Sequence, residues 1–190
     1  MSARRALALL AVLALASCRT GRPSGVAVEP LSAATREEAV QQLRARRESF
    51  RGMRSLMRVR ATTNGKTQSF RAQLVVHDAR RMELIAYTPV GTTAMTMKAD
   101  GDRITTDPAV PPASFNFLRD AELAPAEVAM LILGVPPRDD LSYVYESAGL
   151  QRAVIGDIEI AFDPPAFPAK HVVVTRGADR VEIEHLEVMQ

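Results

Sequence analysis

The residue types that most often perform catalysis or bind metals are few and scattered in this chain of 190 residues. The three histidines are His77, His171 and His185. None of them belongs to a closely spaced metal-binding pair, and their polar neighbours predict exposed strand positions. The acidic pairs Asp100/Asp102 and Asp139/Asp140 lie in predicted turns, where aspartate accepts backbone hydrogen bonds. The sequence therefore predicts no catalytic residue, no metal ligand and no cofactor, and it favours a binding protein over an enzyme.

The single cysteine does have a spacing that indicates chemistry. Cys18 ends the segment Leu15-Ala16-Ser17-Cys18, the lipobox pattern at which bacterial lipoprotein signals are cleaved and the thiol is acylated. Two arginines and a short apolar run precede it, as in a secretory signal. That run, residues 6–16, is shorter than the roughly 20 residues of a spanning helix. We predict removal of residues 1–17 and lipidation of Cys18; the alternative is a signal peptide beside an incidental cysteine.

Cleavage changes the charge balance of the chain. The full sequence has 24 Lys and Arg against 22 Asp and Glu, a net charge of +2. Loss of Arg4 and Arg5 leaves 22 basic and 22 acidic residues. A nucleic-acid-binding protein would keep a basic surplus, so that class is excluded. Arg19 follows the cysteine where inner-membrane lipoproteins of enterobacteria have aspartate, which implies the periplasmic face of the outer membrane.

Residues 18–31 contain Gly, Pro and Ser without periodicity, and we predict a flexible tether. A helix follows, with Thr35 and Glu38 in capping-box positions and an apolar face that includes Leu43. The arginines of this region would either form a basic face for an acidic partner or anionic lipid, or lie on a solvated face that balances acids elsewhere. The second interpretation is favoured.

From Ser55 the apolar residues recur with a period of two, which predicts strands. Asn64-Gly65 and Asp100-Gly101 predict hairpins, and the three prolines in residues 107–116 predict a loop. A second, almost wholly apolar helix is expected from Pro125 to Gly134, buried or lining a cavity. We predict a mainly β protein with α elements. Its single domain, residues 32–190, is a curved antiparallel sheet of about 9–11 strands, an incomplete half-open barrel covered by an N-terminal helix and a helical insert.

Two further features concern apolar side chains. Several of the eight methionines lie in predicted strands or helices. Their flexible thioethers suit a cavity for acyl chains of variable shape, although each one alone is more often ordinary core. In Thr88-Pro89-Val90-Gly91, a proline and a glycine flank one aliphatic residue between two strands. This pattern predicts a turn that projects Val90 outward, either as a plain tight turn or as a binding tip.

The chain resembles the LolB family of outer-membrane lipoproteins, which share the LolA/LolB lipoprotein-localisation fold. The resemblance rests on the lipobox, on Arg81-Met82-Glu83-Leu84 with the Thr88–Thr93 loop, and on the helix that ends in Leu133-Gly134-Val135-Pro136. The family's loop reads Asn-Pro-Leu-Gly-Ser-Thr, and its leucine corresponds to Val90. The resemblance therefore implies a membrane-insertion loop made of Pro89, Val90 and Gly91.

The resemblance also implies a function. It implies an anchored, monomeric lipoprotein that takes client lipoproteins from a periplasmic LolA-like carrier and inserts them into the inner leaflet of the outer membrane. Acyl chains of the client would lie between sheet and helices. The residues expected to line this cavity are Met57, Val59, Leu74, Val76, Leu84, Met95, Met97, Met130, Leu131, Ile158 and Ile160. The alternatives are a relative of this fold that binds another lipid, and a structural or regulatory component of an envelope assembly.

Overall fold

A computed structural model describes residues 25–108 and 123–190. The predicted signal peptide, Cys18 and most of the loop predicted at residues 107–116 lie outside these ranges. The helices of the described part are α1 (Arg36–Glu48) and α2 (Pro125–Ile132). Its strands are β1 (Met53–Thr63), β2 (Lys66–Val76), β3 (Arg81–Tyr87), β4 (Thr93–Asp100), β5 (Arg103–Asp107), β6 (Ser142–Glu146), β7 (Gly149–Ile155), β8 (Ile158–Phe162), β9 (His171–Arg176) and β10 (Asp179–Met189).

The ten strands form one antiparallel sheet in the order β5-β4-β3-β2-β1-β10-β9-β8-β7-β6. Most neighbours are therefore consecutive in the chain, and the pairing of β1 with β10 joins the two halves. The hairpin predicted at Asn64-Gly65 connects β1 to β2; both residues have positive φ, 51° and 73°, as a two-residue hairpin turn requires. The predicted fold class, a curved open sheet covered by two helices, is confirmed.

Side chains alternate between two environments along each strand. On the inner face of β1, Met53, Ser55, Met57 and Val59 are buried. The outer face of the same strand carries arginines that pair with glutamates of β10, for example Arg58 with Glu184 at 2.6 Å. Apolar residues therefore face the helices, whereas charged residues face solvent.

Helix α1 begins at the residue that the capping pattern predicts. The Glu38 amide donates to Thr35 Oγ1 at 3.2 Å, and the Glu38 carboxylate accepts from the Ala34 amide at 2.8 Å. The helix lies over β6 and β7 and buries Leu43 completely. Arg44 and Arg47 both bind Asp139, which agrees with a solvated face that balances acids elsewhere.

Part of the segment predicted as a tether, residues 18–31, contacts the sheet. The amide of Val26 donates to the carbonyl of Gln190 at 3.1 Å, and the amide of Gln190 donates to the carbonyl of Val26 at 2.9 Å. Val28 is buried against the core, and the Leu31 amide donates to the carbonyl of Phe167. These residues associate because the end of β10 offers free backbone groups and Val28 gains burial. Val26, Val28 and Leu31 therefore contact the sheet domain.

Candidate functional site

An apolar cavity of about 240 Å³ lies between helix α2 and the inner face of the sheet. Helix α2 covers strands β2, β3 and β4. All fifteen lining residues are apolar: Met57, Val59, Ala61, Phe70, Leu74, Met82, Leu84, Met97, Pro125, Val128, Ala129, Ile132, Val174, Val181 and Ile183. Such a lining has no polar group to hold a charged or hydrogen-bonding ligand, and it suits a hydrocarbon.

The side chains of α2 explain why space remains beneath it. Pro125, Val128, Ala129 and Ile132 recur at the spacing of one helical face and line the cavity. Two of these four, Pro125 and Ala129, have small side chains. In the first turn of the helix, the Glu127 carboxylate accepts from the Ala124 amide at 2.9 Å. It ends at Gly134, whose φ of +91° favours glycine, as the sequence predicts.

The cavity opens toward one end of the sheet. Among its lining residues, Met57, Met82 and Met97 are buried. Phe70 and Val181, which lie near the β1–β2 and β9–β10 hairpins, are only half-buried. The described residues therefore form a closed floor lined by methionines and a mouth at the hairpin end.

The predicted Pro-Val-Gly turn lies at this same end, because Tyr87 at its start pairs with Arg71 of β2. The Gly91 amide donates to the Thr88 carbonyl at 2.9 Å, and the Thr88 amide donates to the Thr92 carbonyl at 2.8 Å. The hydroxyls of Thr88 and Thr92 are 2.7 Å apart and close the base of the loop. Val90, at the tip, is 85% exposed. A rigid loop thus presents one aliphatic side chain to the surroundings beside the cavity mouth.

The residues expected to line the cavity divide into two groups. Five of them do line it: Met57, Val59, Leu74, Leu84 and Met97. The other six do not line this space: Val76, Met95, Met130, Leu131, Ile158 and Ile160.

For each of these six residues, its position in the fold explains why it does not line the cavity. Met130 and Leu131 belong to the faces of α2 that point away from the cavity stripe, and Ile158 and Ile160 lie in β8, in the half of the sheet away from α2. Val76 pairs with Met82 at the closed end, and Met95 is only half-buried near the loop. The sequence also missed Phe70, whose alternation with Leu74 on β2 was a usable signal.

The environment of His185 differs from the exposed strand position that the sequence predicts. It is 9% exposed and buried on the inner face of β10. Its Nε2 lies 3.0 Å from the carbonyl of Ile132, which can only accept, so Nε2 carries the proton. Its Nδ1 therefore accepts from the Ser55 hydroxyl at 2.7 Å. Counting by twos from Val181 and Ile183 places His185 on the inner face, a signal that its polar neighbours obscured.

Burial governs the ionisation of this histidine. Loss of solvation lowers the pKa of His185 from 6.5 to about 4, which the bond to the Ile132 carbonyl only partly opposes. The neutral ring therefore joins the last turn of α2 to β1 and β10. Ser55 has no exposed surface, so this serine–histidine pair is enclosed within the core. This pair therefore links the helix above the cavity to the sheet.

Residues 25–108 and 123–190 contain no cluster of three or more His, Cys, Asp or Glu able to hold a metal ion. In the same ranges no helix combines the length and the apolar character that crossing a membrane requires.

Fold and cavity together define an open antiparallel sheet with an apolar pocket under a helix. Residues 54–183 match the model of the family described as Protein of unknown function (DUF3261), and the chain belongs to this family. No curated protein sequence matches the chain.

Three solved structures are similar to this chain. A DUF1329 family protein from Desulfovibrio piger is 8% identical, with a TM-score of 0.50 over 78% of this chain and 90% of that one. A LolA superfamily protein, NE2245 from Nitrosomonas europaea, is 9% identical, with a TM-score of 0.43 over 83% and 94%. A domain from Vibrio parahaemolyticus described as a putative outer membrane lipoprotein-sorting protein is 9% identical, with a TM-score of 0.44 over 80% and 90%. At such identities the likeness concerns the fold alone.

Proposed function

We propose that this protein binds acyl chains in the cavity beneath α2 and acts as a lipoprotein anchored to the periplasmic face of the outer membrane. In this role it receives lipoproteins from a LolA-like carrier and inserts them into the membrane. The observation that carries the proposal is the continuous apolar lining of the cavity, which opens beside the exposed Val90. The lipobox at Cys18 and the resemblance to the LolB family support it. The proposed activity is binding and transfer, without bond-making on a substrate.

The energetics favour hydrocarbon as the ligand. Each CH₂ moved from water to an apolar site gains about 0.8 kcal/mol, so one long chain supplies on the order of ten. The cavity of about 240 Å³ is smaller than the roughly 300–1,000 Å³ of typical ligand sites. Its floor of Met57, Met82 and Met97 can adapt, because unbranched thioethers change shape at little cost. Entry of a chain therefore requires these side chains, and α2 above them, to move outward.

A substitution that fills the cavity tests the binding step. Ala129→Leu places three extra carbon atoms in the cavity, and we expect it to weaken binding of a fluorescent fatty acid at least ten-fold. Ala161→Leu is the matched control, because Ala161 lies on the outer face of β8. Unchanged binding by Ala129→Leu, with the circular dichroism spectrum of the parent protein, would contradict acyl binding at this site.

The loop tests the transfer step. We expect Val90→Glu to leave folding and fatty-acid binding unchanged but to block transfer of a lipoprotein from its carrier complex to vesicles. A charged side chain at the tip opposes entry into the leaflet. Val144→Glu, an exposed valine on edge strand β6, is the control. Full transfer by Val90→Glu would refute the insertion role of the loop.

The anchor tests the localisation. We expect Cys18→Ala to release the protein from the membrane fraction into the soluble periplasmic fraction, because the acyl chains supply the stable attachment. Persistence of this variant in washed membranes would show a second attachment. Lipids and proteins that co-purify with the parent chain then distinguish a lipoprotein receptor from a protein that holds another lipid.

A further inference from the structure

The outer face of the sheet has an uneven distribution of charge. Two cations of β1 are neutralised by glutamates of β10: Arg58 lies 2.6 Å from Glu184, and Arg60 lies 3.8 Å from Glu182. Strand β2, in contrast, contains Lys66 and Arg71 and no acidic residue. The segment 88–97, which includes the Val90 loop, contains no charged residue. Strand β2 beside the loop therefore carries cations and no anion of its own.

Arg71 is the cation closest to the loop. It is exposed on the outer face of β2, opposite Arg58 on one side and Tyr87 on the other. Within residues 25–108 and 123–190 it forms no ion pair and no hydrogen bond through its guanidinium. Its cross-strand neighbour Arg58 is a like charge already bound to Glu184. Like charges directly opposite each other are unfavourable, and Glu184 contacts Arg58 rather than Arg71, so an anion beside Arg71 would be favourable.

A groove of about 460 Å³ joins Arg71 to the loop. It is lined by Leu56, Arg58, Ser69, Phe70, Arg71, Tyr87, Thr88, Pro89 and Gly91. Its walls thus combine a free guanidinium with the exposed Ser69, and one end is the proline–glycine turn that carries Val90. Strand β2 continues past Arg71 to Lys66 and flanks the loop along this length. Both cations therefore lie on the strand that pairs with β3, which leads into the loop.

We propose that this groove binds the phosphate of an anionic phospholipid in the leaflet that Val90 enters. The inference rests on the proposed function, since it assumes that the loop meets a membrane. Val90 at the apolar tip inserts into the leaflet, and Arg71 with Lys66 attracts the domain to the negatively charged surface. The two together set the orientation of the domain: the outer face of β2 and β3 lies toward the head groups, and the cavity mouth lies at the membrane.

The test measures partition of the Cys18→Ala chain onto vesicles, because this chain lacks the lipid anchor. Vesicles of phosphatidylethanolamine with phosphatidylglycerol are compared with vesicles of phosphatidylcholine alone. We expect Arg71→Gln to lower partition onto the anionic vesicles about five-fold, the effect of one cation at such a surface, and Lys66→Gln with Arg71→Gln to lower it further. Added salt should reduce the difference. Arg103→Gln is the matched control: it is exposed at the opposite end of the sheet, after the β4–β5 hairpin.

Two results would overturn the inference: equal partition of Arg71→Gln and the parent, or an equal loss in Arg103→Gln, which would indicate general charge attraction. The fatty-acid measurement separates this inference from the proposed function. Arg71 does not line the cavity, so Arg71→Gln should bind the fatty acid as the parent does. A parent chain that binds no fatty acid refutes the proposed function, whereas normal fatty-acid binding with unchanged partition refutes the head-group site alone.

Discussion

The inner face of the sheet is filled at β7 under α1, whereas it is hollow under α2. Beneath α1, Leu43 of the helix and Leu150 and Ala153 of β7 have no exposed surface. Beneath α2, a sheet surface of the same apolar alternation leaves about 240 Å³ unfilled. The strands do not account for the difference, because both halves present aliphatic residues at every second position. The helices account for it, since α1 inserts a leucine where α2 presents Pro125 and Ala129.

The two helices are also fastened differently. Exposed ion pairs hold the outer side of α1, where Arg47 lies 2.9 Å and Arg44 3.2 Å from Asp139. A buried ring holds the end of α2, where His185 bonds to the carbonyl of Ile132. Ion pairs on its exposed side and burial of Ala39 and Leu43 therefore secure α1, whereas burial of most of its side chains and the bond from His185 secure α2.

Truncating one leucine to alanine in each half should give the largest difference in the free energy of unfolding. We expect Leu43→Ala to lower the free energy of unfolding by about 2–5 kcal/mol, because it leaves a cavity in a filled region. Leu84→Ala should cost only about 1 kcal/mol, because Leu84 is half-buried and already faces empty space. Urea denaturation measures both. Equal losses would mean that the two halves are packed alike.

The pH dependence of stability should reveal the buried histidine. The pKa of His185 is about 4 in the folded protein and near 6.5 in the unfolded chain, so the unfolded chain takes up a proton in this window and the native state does not. Stability therefore falls as the pH drops from about 6.5 to 4, by roughly 3 kcal/mol at 1.36 kcal/mol per pKa unit. Below pH 4 this group causes no further loss.

Two variants isolate that contribution. His185→Gln keeps a side-chain N–H but cannot take up the proton, so its stability should vary less between pH 6.5 and 4 than that of the parent. His77→Gln, an exposed histidine, should follow the parent curve. Denaturant midpoints at each pH measure the difference. A parent curve that His185→Gln reproduces would show that the ring does not titrate as its burial requires.

The sequence predicted local features well where one short-range rule decides them. Thr35 with Glu38 set the start of α1, Asn64-Gly65 set the first hairpin, and Gly134 set the end of α2. The period of two gave the strands and the fold class. It could not give the cavity, because the space depends on which helix lies over which strands. Met130 and Ile160 are as apolar as Met97, and only three-dimensional packing distinguishes filled positions from open ones.

His185 and Val28 show two other limits of the sequence. His185 looks exposed in the sequence because two glutamates and a leucine surround it. Its burial is favourable because its ring bonds to the carbonyl of Ile132, 53 residues away in the sequence, and to the hydroxyl of Ser55. Val28 lies in a segment rich in Gly and Pro that looks like a tether, yet its neighbour Ala27 pairs with Met189 at the end of β10 and Val28 itself is buried. Both outcomes depend on partners distant in sequence, which no local pattern contains.

Enlarging one alanine in each half should produce an intermediate effect. Ala153→Leu overfills the region beneath α1, and we expect a loss of about 1–3 kcal/mol. Ala129→Leu enters existing space, so its stability should stay within about 1 kcal/mol of the parent, or rise. The pair thus links stability to function, because Ala129→Leu is also the variant expected to lose fatty-acid binding. A loss of stability by Ala129→Leu as large as that of Ala153→Leu would mean that the cavity is not available space.

The smallest effect is expected at the ion pairs of α1. Asp139 accepts from Arg47 and Arg44, and the Arg47 guanidinium lowers the pKa of this carboxyl. Stability from the pairs is therefore present above the usual pKa of aspartate and is lost as the pH falls through the lowered pKa of the folded state. We expect Asp139→Asn to cost only about 0.5–1 kcal/mol in urea denaturation at neutral pH, since half-exposed ion pairs contribute little.

Asp140→Asn is the control for that measurement. Asp140 lies in the same turn but pairs with Arg138, 3.2 Å away, and not with α1. If packing of Leu43 secures the helix, Asp139→Asn must cost far less than Leu43→Ala and must leave fatty-acid binding unchanged. A cost near that of Leu43→Ala would reverse the comparison, because α1 would then be held mainly from its exposed side. In that case α2 would move more easily than α1 because the described residues of α2 form no such ion pairs. The small side chains at Pro125 and Ala129 would then be secondary.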